Sequence, residues 1–194
     1  LDRIPGRAAL LKRIGELGDA VPARVSSVQV NNGHYYYLKR LATENVPRLY
    51  ARAGFAGRER LLVDPEAARG ARGAHFAIDY YAPSFDNKYL AYGISPGGSE
   101  ESVLHVIEVA SGKEMGEAID RAQLGSPSWT NDNKLVYNRL AKLAPDAPRS
   151  DKYLGSRAYI HVIGSDPERD RAVLGPGVVP EMALDPLATP VVFT

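Results

Sequence analysis

The chain opens with one helical pattern and then alternates in the manner of a sheet protein to its end. In residues 5–18 the apolar side chains Leu10, Leu11, Ile14 and Leu17 recur at helical spacing, with Arg7, Lys12, Arg13 and Glu16 elsewhere on the pattern. Pro5 and Gly18 stand where a start and a stop belong. Gly15 inside the pattern weakens it by about 1 kcal/mol of propensity. From Val21 onward, short apolar runs bounded by turn residues predict strands at 25–30, 34–38, 48–53 and 60–63. The first two are joined by Asn31-Asn32-Gly33, an Asn-Gly hairpin signal. A second unit places strands at 80–82 and 89–92 around a polar turn at 83–87, then a strand at 103–109 and a turn at Ser111-Gly112-Lys113. A third has strands at 128–130, 135–137, 158–163 and 172–174, interrupted by a polar loop around 144–151.

The corner of the second unit recurs. Asp86-Asn87-Lys88 superposes on Asp132-Asn133-Lys134, with one residue deleted after the turn. Residues 182–193, with Leu184-Asp185-Pro186 and Val191-Val192-Phe193, read as a third, degraded copy. The third strands of the units, at Leu49, Leu104 and Tyr159, follow one another at a step of 55 residues (49 to 104 to 159). Four short strands every 40–55 residues or so is the spacing of propeller blades. Val103-Leu104-His105-Val106-Ile107 is nearly continuous in apolarity, as a sheet covered on both faces requires, and stacked blades provide that cover. A β-sandwich with coincident spacing is the alternative, which leaves the repeated Asp-Asn-Lys turn without a reason.

The expected fold is therefore all-β: a partial β-propeller of about three to four blades, each a four-stranded antiparallel sheet, preceded by one short N-terminal helix. Residues 1–20 form the helical segment and residues 21–194 the propeller domain. A closed ring needs roughly 4–8 blades, so a fragment is expected. Leu1-Asp2-Arg3-Ile4-Pro5 carries neither an initiator Met nor a signal peptide, and Thr194 follows directly on an apolar run, so both ends read as cuts. An incomplete ring leaves one flat blade face open, through which self-association is expected.

Composition narrows the function classes. At 44% hydrophobic and 24% charged, the chain is that of a soluble globular protein. A net charge of +1, with Lys and Arg dispersed, argues against a nucleic-acid partner. No apolar run is long enough to cross a bilayer, so no membrane partner is expected. The chain has no cysteine, which excludes disulfides and thiolate metal sites. That fits a reducing compartment and leaves an exported protein open, so cytoplasm and periplasm both stand.

Gly93-Ile94-Ser95-Pro96-Gly97 matches the Gly-x-Ser-x-Gly nucleophile elbow. An elbow needs a helix directly after the serine; here Pro96 withholds an N–H where the oxyanion hole wants one, and the string reads as a connection between strands. None of His34, His75, His105 and His161 pairs with another at metal-ligand spacing, so no metal is expected. His105 and Glu108 fall on opposite faces of a strand, and His161 reads as a hydrogen-bonded core residue. Phosphate-binding glycine motifs are absent, and no cofactor is expected. Glu100-Glu101 reads as a solvated loop pair, and Trp129 as an anchor between blades.

The segments 81–93, Gly97-Gly98-Ser99-Glu100, Trp129-Thr130-Asn131-Asp132 and His161-Val162-Ile163-Gly164 together resemble, in content and order, the N-terminal propeller portion of the prolyl oligopeptidase family of serine peptidases. The resemblance implies that this chain is a non-catalytic propeller fragment gating access of short proline-containing peptides to an active site in a missing C-terminal α/β-hydrolase domain, on which the segment 1–20 would pack. The triad would lie beyond Thr194. One site residue carries over: Leu124 occupies the family's place for an apolar residue lining the substrate pocket, where the family often has an aromatic, and a core leucine at the start of an inner strand is the competing reading. Two other readings remain: a stand-alone propeller acting as a protein-binding scaffold, and a propeller enzyme with its own central metal site, which the ligand inventory disfavours.

Overall fold

The structure, a computed structural model, describes residues 4–68 and 75–194; residues 1–3 of the expected N-terminal segment lie outside the described residues. Helix α1 (Arg7–Asp19) follows Gly6, whose φ of 81° lies in the left-handed region, and continues through Gly18 to end on Ala20. Its apolar stripe packs on nothing within the described residues: Leu10, Leu11, Ile14 and Leu17 are each at least 50% exposed.

Among the described residues, twelve strands make three four-stranded antiparallel meanders. The first is β1 (Ala23–Asn31), β2 (His34–Leu41), β3 (Arg48–Ala53) and β4 (Arg60–Val63). The second is β5 (Phe76–Pro83), β6 (Tyr89–Pro96), β7 (Val103–Glu108) and β8 (Lys113–Glu114). The third is β9 (Ser128–Trp129), β10 (Lys134–Arg139), β11 (Arg157–Val162) and β12 (Arg171–Leu174). Asn32 and Gly33 close the first hairpin with φ of 43° and 74°, the paired left-handed conformation that an Asn-Gly turn supplies at low cost.

The sheets stack face to face, and the middle one is covered on both sides. Leu90, Tyr92 and Ile94 of β6 pack against Tyr36, Leu49 and Ala51 of the first sheet. Ala91 of β6, with Leu104 and Val106 of β7, meets Trp129, Leu135 and Tyr137 of the third. This two-sided burial explains why β6 and β7 read as nearly unbroken apolar runs. By contrast β1, at the open end of the stack, keeps Val25, Val28 and Val30 more than half exposed.

Each sheet repeats one cross-strand device. Tyr37 stacks on Tyr50, Tyr92 on His105 and Tyr137 on Tyr159, with ring centroids 6.2, 5.5 and 5.9 Å apart. In every case the two residues are register partners on the second and third strands. Each tyrosine hydroxyl then donates to an acid near the fourth strand: Glu59, Glu114 and Asp170 respectively. The structural step between third strands is thus 55 residues from 50 to 105 and 54 from 105 to 159, one short of the sequence alignment in the last blade.

The repeated corner is a staple between sheets. Asn87 and Asn133 both adopt left-handed φ, 58° and 59°, which asparagine tolerates better than most residues. Asn87 Oδ1 accepts from Asn31 Nδ2 at 2.9 Å and from Tyr36 Oη at 3.0 Å, both in the preceding sheet. Asn133 Nδ2 donates back to Asp86 Oδ2 at 2.8 Å, the same stitch one blade on.

The third copy expected at residues 182–193 is not a hairpin. Residues 180–194 form no strand. Pro186 and Pro190 withhold donors from any ladder, and the segment instead lies along the third sheet, Asn138 Nδ2 donating to Pro190 O at 2.9 Å and Ser156 Oγ to Ala188 O at 3.1 Å.

Candidate functional site

Residues 121–125 extend the first edge of the third sheet beyond β9, since Asn138 N donates to Gly125 O at 2.8 Å and Leu140 N to Arg121 O at 2.9 Å. They lie at the end of the sheet opposite the Asp-Asn-Lys corner. A tight turn from Ala122 to Gly125, closed by Gly125 N donating to Ala122 O at 3.0 Å, carries Gln123 and Leu124 at its tip. Tyr80 of β5 holds this turn from below, its hydroxyl donating to Ala122 O at 2.7 Å. The ring occupies space that only glycine leaves: a Cβ on Gly93 or on Gly125 would come within 2.3 Å of it. Burial, with the nearby Asp79 charge adding to it, pushes the Tyr80 hydroxyl far above the ordinary phenol value, so it stays a donor.

Leu124 is half-buried and sits in the turn rather than on an inner strand. Its neighbour Gln123 lines a cavity of about 390 Å³ between the second and third sheets, with Val103, Leu140 and Leu143 as apolar walls. Glu101 and Lys152 face each other across it at 3.6 Å. Glu100 and Glu101 are both exposed, the solvated loop pair expected, and Glu101 adds a surface ion pair with Lys152. Gln123 Oε1 is buried without a hydrogen-bond donor among the described residues, an acceptor that could take an N–H from a ligand. The flanking wall is an ionic clamp in which Arg139 and Arg121 each bridge Asp120 and Glu168. Burial raises the Asp120 carboxyl, but the Arg139 guanidinium outweighs it and holds Asp120 below the usual carboxylate range. Sequence reading missed Gln123 and this clamp, because Asp120, Arg121, Arg139 and Glu168 are brought together from distant stretches that carry no local motif.

The other candidates are placed plainly. Ser95 lies within β6, opposite Ala77, rather than in a connection between strands. It is 1% exposed and donates to Asp79 Oδ1 at 3.0 Å, while Ser102 donates to the other oxygen of the same carboxylate. No histidine is hydrogen-bonded to Ser95 among the described residues. Trp129 is 2% exposed, stacks on Tyr89 at 5.9 Å and donates through Nε1 to Ala82 O at 2.9 Å, so it does anchor one blade on the next. His34 and His75 are surface residues, the latter 2.8 Å from Glu66. His105 faces Glu114 at 3.7 Å rather than Glu108. Among the described residues no cluster of three or more metal-ligating side chains occurs.

His161 is fully buried, with Nδ1 3.0 Å from both oxygens of Asp170 and Nε2 3.6 Å from Glu117. Burial alone would push the imidazole down; the hydrogen bond to Asp170 and the Glu117 carboxylate close by outweigh it and raise it to about 9. Burial likewise pushes Glu117 up, and His161 together with the Gly164 N–H holds it low instead. Glu117 leaves the second sheet and Gly164 follows β11, so this charged core ties two blades together.

Three stacked four-stranded meanders whose first strands lie side by side define an arc of a β-propeller. The family model for the prolyl oligopeptidase N-terminal beta-propeller domain matches residues 1–180, and the chain belongs to that family. It is 22% identical over 177 residues to the prolyl endopeptidase of Elizabethkingia meningoseptica, covering 90% of this chain and 24% of the relative. A solved structure from a study of two prolyl endopeptidases, concerned with inter-domain dynamics in catalysis and specificity, superposes with a TM-score of 0.79 at 28% identity, over 95% of this chain and 27% of that one. Prolyl oligopeptidase B of Galerina marginata, bound to a 35-residue substrate, superposes with a TM-score of 0.69 at 18% identity, over 87% of this chain and 26% of that one. The chain thus spans about a quarter of the length of the relatives it matches.

Proposed function

We propose that this chain is the first arc of the propeller of a prolyl-oligopeptidase-type serine peptidase, and that it gates short proline-containing peptides on their way to an active site in an α/β-hydrolase domain. The arc supplies no nucleophile of its own. The observation that carries this reading is Ser95: the most enzyme-like serine of the chain is buried in a strand and bound to the Asp79 carboxylate, with no histidine hydrogen-bonded to it among the described residues. The parent enzyme would use an activated serine, passing through an acyl-enzyme, elsewhere in the polypeptide.

Two surfaces fit that role. The stripe of Leu10, Leu11, Ile14 and Leu17 leaves α1 amphipathic and uncovered, which suits residues 1–20 to docking on the hydrolase domain while residues 21–194 form the propeller. The Ala122–Gly125 turn, fixed on Tyr80, carries Leu124 next to Gln123; Leu124 does not itself line the Gln123 cavity, and the family resemblance is what assigns it to the substrate-facing wall. In the complete peptidase, Leu124→Asp should raise KM for a short prolyl peptide while leaving the rate of inactivation by a small serine-directed phosphonate unchanged. Unchanged KM, or equal losses in both assays, would remove Leu124 from the substrate path.

A further inference from the structure

A second cavity, larger than the one beside Leu124, lies between the first and second sheets on the side of the Asp-Asn-Lys corner, where Asn87 forms part of its wall. It holds about 860 Å³, within the range of roughly 300–1,000 Å³ that accommodates small ligands. Its floor is apolar, made by Ala51, Leu61 and Val109, and its rim carries Arg58 and Arg60.

The charge on that rim is not balanced from within. Glu59 is the one carboxylate of the lining among the described residues, and it is already engaged, by Lys39 Nζ at 2.6 Å and by the Tyr37 hydroxyl at 2.5 Å. Arg60 is pinned across the two sheets by donation to Ala110 O at 2.6 Å, which uses one of its five N–H donors and none of its charge. Arg52 does not contribute its charge: its guanidinium lies over the rings of Phe55 and Tyr37, 5.0 and 5.6 Å from their centroids, on the face of the first sheet opposite to Tyr36 and Ala51 and so turned away from the second sheet. Arg58 makes no ion pair among the described residues. Arg58 thus has no carboxylate partner and Arg60 keeps most of its donors free, beside an apolar floor. His34 adds a further titratable donor at the edge.

We propose that this cavity binds a small organic anion, a carboxylate or phosphate ester whose apolar body rests on Ala51, Leu61 and Val109 while the Arg58 and Arg60 guanidiniums take its charge. Planar guanidiniums suit both headgroups because each can be bridged by paired N–H donors. The proposal is independent of the peptidase reading and does not involve Leu124 or its cavity.

The test is calorimetric titration of the 194-residue chain with four probes: 1-naphthyl phosphate, 1-naphthoate, the neutral 1-methoxynaphthalene and inorganic phosphate. Either naphthyl anion should bind more tightly than both the neutral compound and inorganic phosphate, and added salt should weaken it. Preference for the phosphate or the carboxylate then identifies which ester or acid class the site takes. Arg58→Ala, at an exposed and unpaired position, should lower the affinity by about tenfold, the equivalent of one charge-assisted contact. Arg60→Met should do the same, whereas Arg52→Met, on the opposite face of the first sheet, and Arg171→Ala on β12 should have no effect. Equal binding of the neutral probe, no binding of either anion, or an Arg58→Ala chain that binds like the wild type overturns the proposal.

Discussion

Replacing His161 by glutamine removes the cation held between two buried carboxylates. In the folded protein the imidazole is raised from 6.5 to about 9, because Asp170 and Glu117 outweigh the penalty of burial. At about 1.4 kcal/mol per tenfold change in proton affinity, that difference corresponds to at most about 3 kcal/mol of stability. The folded state binds the proton more tightly than the unfolded chain does, so the contribution is complete below the unfolded value of 6.5 and is lost as the pH rises through about 9. Glu117 works in the opposite direction. Its carboxyl is held low, so its contribution is present above the ordinary carboxylate range and disappears as the pH falls through the depressed value. Stability should therefore peak between the carboxylate range and pH 6.5. Urea titrations followed by the fluorescence of the single tryptophan, Trp129, should show the midpoint falling between pH 6.5 and pH 9. At neutral pH, His161→Gln should cost about 3–5 kcal/mol, because it leaves Glu117 and Asp170 facing a neutral side chain, and part of that loss should return in Glu117→Gln/His161→Gln. A midpoint that stays flat from pH 6.5 to 9, or a single variant as stable as the wild type, would refute the charged core.

Three further outcomes follow from the packing. Gly93→Ala places a Cβ 2.3 Å from the Tyr80 ring and should destabilise by about 1–3 kcal/mol, with the penalty shrinking in a Tyr80→Leu background on a double-mutant cycle. Asn87→Gly keeps the left-handed backbone but removes the acceptor shared by Asn31 and Tyr36, and should lower the unfolding free energy by about 1–2 kcal/mol in a urea titration. The exposed Val25, Val28 and Val30 face should draw the isolated chain into self-association, so Val28→Lys should lower the apparent mass seen by light scattering without lowering the melting temperature.

The blade architecture was legible because its signals are local. Asn32-Gly33 states a turn, the alternation of β2 and β3 states two strands, and the unbroken apolarity of β6 and β7 states a sheet buried on both faces. The two Asp-Asn-Lys corners were visible as a repeat, but their purpose was not. Asn87 reaches Asn31, 56 positions away, and Asn133 reaches Asp86, 47 positions away, which no window along the chain reveals. The tyrosine–aromatic–acid device was hidden for a similar reason, since its third member shifts between Glu59, Glu114 and Asp170. The copy expected at 182–193 failed because its apolar letters fit a strand while Pro186 and Pro190 deny it a ladder. Ser95 was read as a connector because Gly93 and Pro96 look like punctuation; Gly93 is there to admit Tyr80. Leu124 is assigned only through resemblance, and Gln123 beside it is invisible in the sequence, since a buried amide oxygen next to a cavity leaves no trace there.

The proposed role, a propeller arc that gates a reaction without performing it, is open to direct test. The direct measurement is incubation of the purified chain with a proline-specific chromogenic peptide and, separately, with a serine-directed phosphonate followed by intact-mass analysis. No turnover and no adduct are predicted, because Ser95 is sealed within β6 and its hydroxyl is committed to Asp79. Turnover that the phosphonate blocks and that disappears in Ser95→Ala would contradict it.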